Sequence, residues 1–168
     1  ATEAQLFGTS IIDALNEKNA VDRISKLQKI NSPGENAKAI IAMLLSAETN
    51  GNNSPDLEKS TLSGIMQNLS IDAHYRDLLN FKILLGSAGT MNLDERRTAF
   101  EALSKPGNPF RLLAEEQIVL IEIELGNTDN AIEKISQILL DAELTAGLRN
   151  RATQMMIALG KDPKLVNE

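Results

Sequence analysis

The chain has 168 residues, a formal net charge of −6, no cysteine, no tryptophan and only 3% aromatics. Its length suits one domain with a real core. The acidic balance argues against nucleic-acid and anionic-membrane partners, which need a basic face, and the missing cysteine excludes disulfides and thiolate zinc sites. An apolar share of 42% must therefore pack through Leu, Ile, Ala and Met, which suits helix on helix. No stretch of about 18 apolar residues occurs, so no span is predicted within these residues. No basic-then-apolar leader opens the chain, and a start at Ala1 reads as a processed chain or a soluble fragment.

Apolar residues at three-to-four spacing predict nine helices. The first covers about Thr2 to Lys18, with Leu6, Phe7, Ile11, Ala14 and Leu15 on one face. Asn19 breaks it, and Ala20 to Ile30 follows with Val21, Ile24, Leu27 and Ile30 inward. After the turn signal Asn31-Ser32-Pro33-Gly34, the third runs from about Glu35 to Glu48. Its stripe of Ala37, Ile40, Ile41, Leu44 and Leu45 is widened by Ala39, Ala42 and Ala47, so it should be the most enclosed. Ser54-Pro55-Asp56 opens a fourth, with Leu57, Leu62, Ile65, Met66 and Leu69 facing the core.

The fifth follows Ser70-Ile71-Asp72 and carries Tyr75, Leu78, Leu79, Phe81, Ile83, Leu84 and Leu85. Asn92 or Asp94 opens a sixth, with Leu93, Phe100 and Leu103 apolar. Pro109 begins the seventh, which reaches Leu125. The eighth spans about Thr128 to Leu140 with Ala131, Ile132, Ile135, Ile138 and Leu139 inward. The ninth, about Thr145 to Leu159, carries Leu148, Met155, Met156 and Leu159, and Gly160 stops it. Pairing these helices gives a period of roughly 35 residues, the range of helical repeats, with the last helix capping the stack. The reading is one domain over 1–160 and a tail over 161–168.

Candidate chemistry is thin. His74 stands alone, and with Asp72 and Asp77 it supplies neither a nucleophile relay nor enough metal ligands. Glu115, Glu116, Glu122 and Glu124 could suggest the carboxylate pair of a glycosidase, but a solvated helix edge explains them more simply. Gly86-Ser87-Ala88-Gly89 lacks the strand and the Gly-Lys-Ser/Thr of a phosphate loop. In Asn108-Pro109-Phe110-Arg111, Asn108 can cap the helix and Phe110 can staple a neighbour. Arg111 at a helix start opposes the dipole and calls for an acidic partner. Catalytic residues, metal ligands and cofactors are expected to be absent, and the chain is read as no enzyme.

The turn Leu125-Gly126-Asn127-Thr128-Asp129-Asn130-Ala131 has the layout of a tetratricopeptide hairpin: a Gly ends one helix and a small Ala follows on the next. Together with Gly107-Asn108-Pro109-Phe110-Arg111, Ala114-Glu115-Glu116, Gly147-Leu148-Arg149-Asn150-Arg151-Ala152 and Ala158-Leu159-Gly160, it makes Lys105 to Gly160 resemble one particular family. This is the tetratricopeptide-like domain of alphaproteobacterial, including rickettsial, membrane-anchored proteins related to the YfgM-type ancillary subunit of the Sec translocon. Residues 1–104 match it only by helical pattern and length. Val119, Glu122 and Glu143 depart from the repeat consensus, and the basic groove of a carboxylate clamp is not visible.

The resemblance implies an all-α, right-handed stack of antiparallel helix pairs on the periplasmic face of the inner membrane, hung from an anchor upstream of these residues. It implies a non-enzymatic scaffold with a protein or peptide partner, such as Sec translocon or periplasmic chaperone components. The alternative is a self-associating structural domain in a homo-oligomer. Partner contact is expected on the exposed side of the seventh helix near Glu116, Ile123 and Glu124, with Arg111 a further candidate.

Overall fold

The computed structural model describes residues 1–50 and 70–163, and every regular element among them of a full turn or more is an α-helix, with no strand. The predicted fourth helix, with Leu57, Leu62, Ile65, Met66 and Leu69, lies outside the described residues, as does most of the tail. The chain divides into two compact units, Ala1–Gly86 and Ser87–Glu168.

In the first unit, α1 (Glu3–Leu15) starts from a capping box. Thr2 Oγ1 accepts from the Gln5 N–H at 3.3 Å, and Gln5 Oε1 accepts from the Thr2 N–H at 2.8 Å. Asn19 caps α2 (Ala20–Lys29) by accepting from the Asp22 N–H at 2.8 Å. Then come α3 (Glu35–Asn50) and α4 (Ala73–Leu85), each helix packing on the one before it. α3 is the shared wall. Its Ile41 joins Ala14 and Leu27, while its Ala39 and Ala42 join Ile71 and Leu79. Arg23 of α2 reaches Glu48 at 2.9 Å, and Asn36 and Asp72 exchange two hydrogen bonds of 2.7 and 3.0 Å that tie the starts of α3 and α4 together.

Inward assignments fail here at Leu6, Leu15 and Val21, which are 58%, 39% and 71% exposed. α1 packs chiefly on α2, and one neighbour covers a narrower strip than the predicted stripe. Val21 lies in the first turn of α2, off the line through Leu27 that meets the core.

In the second unit, α5 (Leu93–Leu103), α6 (Arg111–Glu124), α7 (Thr128–Leu140) and α8 (Ala146–Ala158) pack in succession. Asn92 caps α5 through the Glu95 N–H at 2.9 Å. α6 ends in a Schellman turn: Gly126 has φ +79°, its N–H meets the Ile123 carbonyl at 3.0 Å, and the Asn127 N–H meets the Glu122 carbonyl at 2.8 Å. This reverses the chain, and Ala131, fully buried, lets α7 return close against α6. One core gathers Leu112 and Val119 of α6, Ile135, Ile138 and Leu139 of α7, and Leu148, Ala152 and Met156 of α8.

The start of α6 differs from expectation. It begins at Arg111 rather than Pro109. The Asn108 side chain accepts from the Phe110 N–H at 2.8 Å, which holds 108–110 in a tight turn and delays the helix.

Candidate interaction surface

α6 has three faces. One, with Leu112, Val119 and Ile123, enters the core shared with α7 and α8. A second buries Ala114, Ile118 and Ile121. The third runs through Leu113, Gln117, Leu120 and Glu124, spaced four, three and four residues apart, so all four lie on one line along the helix. Leu120 is 44% exposed, and the Glu124 side chain is 62% exposed with Arg96 only at 4.0 Å.

At the N-terminal end of this line, α6 and α8 begin side by side. Between them opens a cleft of about 350 Å³ lined by Asn108, Pro109, Leu112, Leu113, Leu148 and Thr145, with Arg111 and Glu143 at its charged side. Arg111 grips Asp141 with both Nη atoms at 2.9 Å, reaches Glu143 at 2.8 Å, and lies 3.5 Å from Glu115. These bonds raise the Arg111 pKa further above its usual value, Asp141 first and Glu143 second. In return Arg111, helped by the Glu143 backbone N–H at 2.9 Å, holds the Asp141 carboxyl below its usual range. Glu115 is pushed up, because partial burial outweighs its attraction to Arg111.

Two further acids of α6 are enclosed. Glu116 is 7% exposed and takes both Nε and Nη2 of Arg151 on α8, at 2.5 and 2.8 Å. Glu122 is 3% exposed and accepts from Asn127 Nδ2 at 2.8 Å and Arg97 Nη1 at 3.3 Å. The Asn127 bond, then the Arg97 bond, lower its pKa. Glu122 therefore supports the α6–α7 turn twice, through its carbonyl and through its side chain.

The predicted surface is thus partly corrected. Glu116 and Ile123 do share a face, but that face points into the helix packing. Seven residues separate them, so they stack along α6, and Arg151 supplies the countercharge that lets a carboxylate sit there. Glu124 is exposed as expected, and Arg111 has the acidic partners its position calls for. The solvated edge expected for Glu122 is also not found. Sequence reasoning does not single out Leu113, Gln117 and Leu120, although their spacing marks one face of the helix. Arg151 carried no signal, because its partner lies 35 residues away. His74 stands exposed in the first turn of α4, and no group of three or more metal-ligating side chains occurs among the described residues.

Comparison with family models, with curated proteins and with solved structures found no match to this chain.

Proposed function

We propose that this chain is a non-enzymatic protein–protein interaction module, a tetratricopeptide-like helical stack that holds a peptide or partner helix on a preformed surface. The observation that carries the reading is the outer line of α6, where exposed Leu120 and Glu124 lie one turn apart while Glu116 and Glu122 are paired inside. A surface leucine backed by a rigid, doubly packed helix costs little ordering when a partner covers it. The likeness of Lys105–Gly160 to the membrane-anchored family supports a wider placement. It would be the periplasmic domain of an inner-membrane-anchored protein in envelope protein traffic, with Sec translocon or chaperone components as partners. No helix among the described residues is long and apolar enough to cross a membrane.

The test is a photo-cross-linking side chain placed at Leu120 of the full-length protein in its native cells, with Asn150 on α8 as an exposed control. An adduct with a second protein at Leu120 and not at Asn150 is expected. Adducts only with another copy of the chain would favour the self-associating reading. No adduct above the control would remove this surface.

A further inference from the structure

We infer that the cleft between the starts of α6 and α8 receives a peptide segment carrying an aliphatic side chain next to a lysine or arginine. This rests on the interaction-module reading and assigns the chemistry of its partner.

The floor of the cleft is aliphatic: Leu112 and Leu148 are buried, and Leu113 is half-buried. A volume of about 350 Å³ is of the scale that takes one or two side chains. Its charge is lopsided. Arg111 and Glu143 are the charged residues lining it, and Arg111 is also held from behind by Asp141, two carboxylates against one cation. Arg111 is spent on holding Asp141 from both sides. Glu143, at the mouth, keeps its side chain 76% exposed and can take a second cation without losing the first. Leu113 belongs both to the cleft and to the outer line of α6, which ends in exposed Glu124. The surface therefore presents Leu113 and Leu120 with Gln117 between them, and an exposed carboxylate at each end, Glu143 and Glu124. An apolar segment with basic residues complements it, and an acidic one is repelled. The chain's net charge of −6 favours the same partner at long range.

The experiment titrates the ¹⁵N-labelled 168-residue chain with two probes, acetyl-Leu-Leu-Lys-Arg-amide and acetyl-Leu-Leu-Glu-Glu-amide. Saturable amide shifts at Gly107, Leu113, Thr145 and Leu148 are expected with the basic peptide only. Binding should weaken severalfold on raising salt from about 0.05 to 0.5 M, weaken in Glu143→Gln and fall at least tenfold in Glu143→Lys. Gln keeps the shape of the side chain, so a folded Glu143→Gln protein that binds fully would overturn the inference. So would equal binding of the acidic peptide, or no saturable shift at millimolar basic peptide. Absent cleft shifts with Leu120 adducts retained would remove the cleft alone and leave the module; loss of both would remove both.

Discussion

Arg151 of α8 and Glu116 of α6 form a two-point ion pair, Nε to Oε1 at 2.5 Å and Nη2 to Oε2 at 2.8 Å, across a helix that is not adjacent in sequence. The Glu116 side chain is 9% exposed, whereas that of Arg151 is 50% exposed. Removing the arginine therefore strands a carboxylate that only water entering from one side can reach. Arg151→Ala should cost about 1–3 kcal/mol, below the cost of breaking a fully buried pair, because the site can rehydrate in part. Glu116→Gln should cost about 1 kcal/mol. The double variant should cost less than the sum, since either change alone already breaks the pair. Urea unfolding of the four proteins measures this, and strict additivity would mean the pair contributes nothing.

Stability should fall with acid. Asp141 and Glu122 have folded pKa values below their unfolded ones, so their contribution is present above the usual carboxylate range and is lost as pH falls below about 4. Asp141→Asn should therefore be less stable than the parent at pH 7, and the gap should shrink below pH 4. Glu115 has the opposite sign. Its folded pKa is raised, so its folded form gains relative stability as pH falls. Glu115→Gln removes that counterweight and should steepen the acid decline. Thermal midpoints between pH 7 and 3 test both, and a shallower decline in Glu115→Gln would contradict the argument.

Two glycines should respond to alanine in opposite directions. Gly126 has φ +79° with open space where a Cβ would stand, so the cost of Gly126→Ala is backbone strain alone, about 1–2 kcal/mol. Gly8 lies inside α1 with no left-handed backbone and open space around its Cβ position. There Gly8→Ala should add about 0.5–1 kcal/mol by reducing the freedom of the unfolded chain. Unfolding midpoints that moved the same way for both would show that crowding, not backbone conformation, decides at least one of them.

The helical class was legible because local rules carry it. Asn19, Asn92 and Thr145 stand at the helix starts their side chains favour, and Gly126 and Gly160 at ends that need positive φ. Ala131, Ile135 and Ile138 point inward because α7 has a single clean stripe. What failed needed partners far away in sequence. A glutamate on α6 looks solvated until Arg151 or Arg97 is known to face it, which is why Glu116 and Glu122 read as exposed from the chain alone. The open line of α6 was hidden for the related reason that helices on two sides cover the rest, and a chain reveals its apolar positions more readily than the number of neighbours that bury them.

Arg111 offers the sharpest test of whether the charged end of the second unit holds it together. Its guanidinium ties the first residue of α6 to Asp141, which ends α7, and to Glu143 in the connection to α8. Lysine can occupy the position as a point charge but cannot span both oxygens of Asp141, so Arg111→Lys should lose about 1 kcal/mol. Arg111→Met keeps the aliphatic stem but leaves Asp141 and Glu143 without the cation they share, and Glu115 with Lys134 alone. It should lose about 2–3 kcal/mol at low salt. Raising the salt should recover part of that loss, since mutual repulsion of partly exposed carboxylates is screened while the lost hydrogen bonds are not. Urea midpoints at about 0.05 and 0.5 M sodium chloride, with unchanged urea slopes, give the measurement. An Arg111→Met protein as stable as its parent at both salts would show that the three-carboxylate clasp is a surface arrangement with no share in the fold.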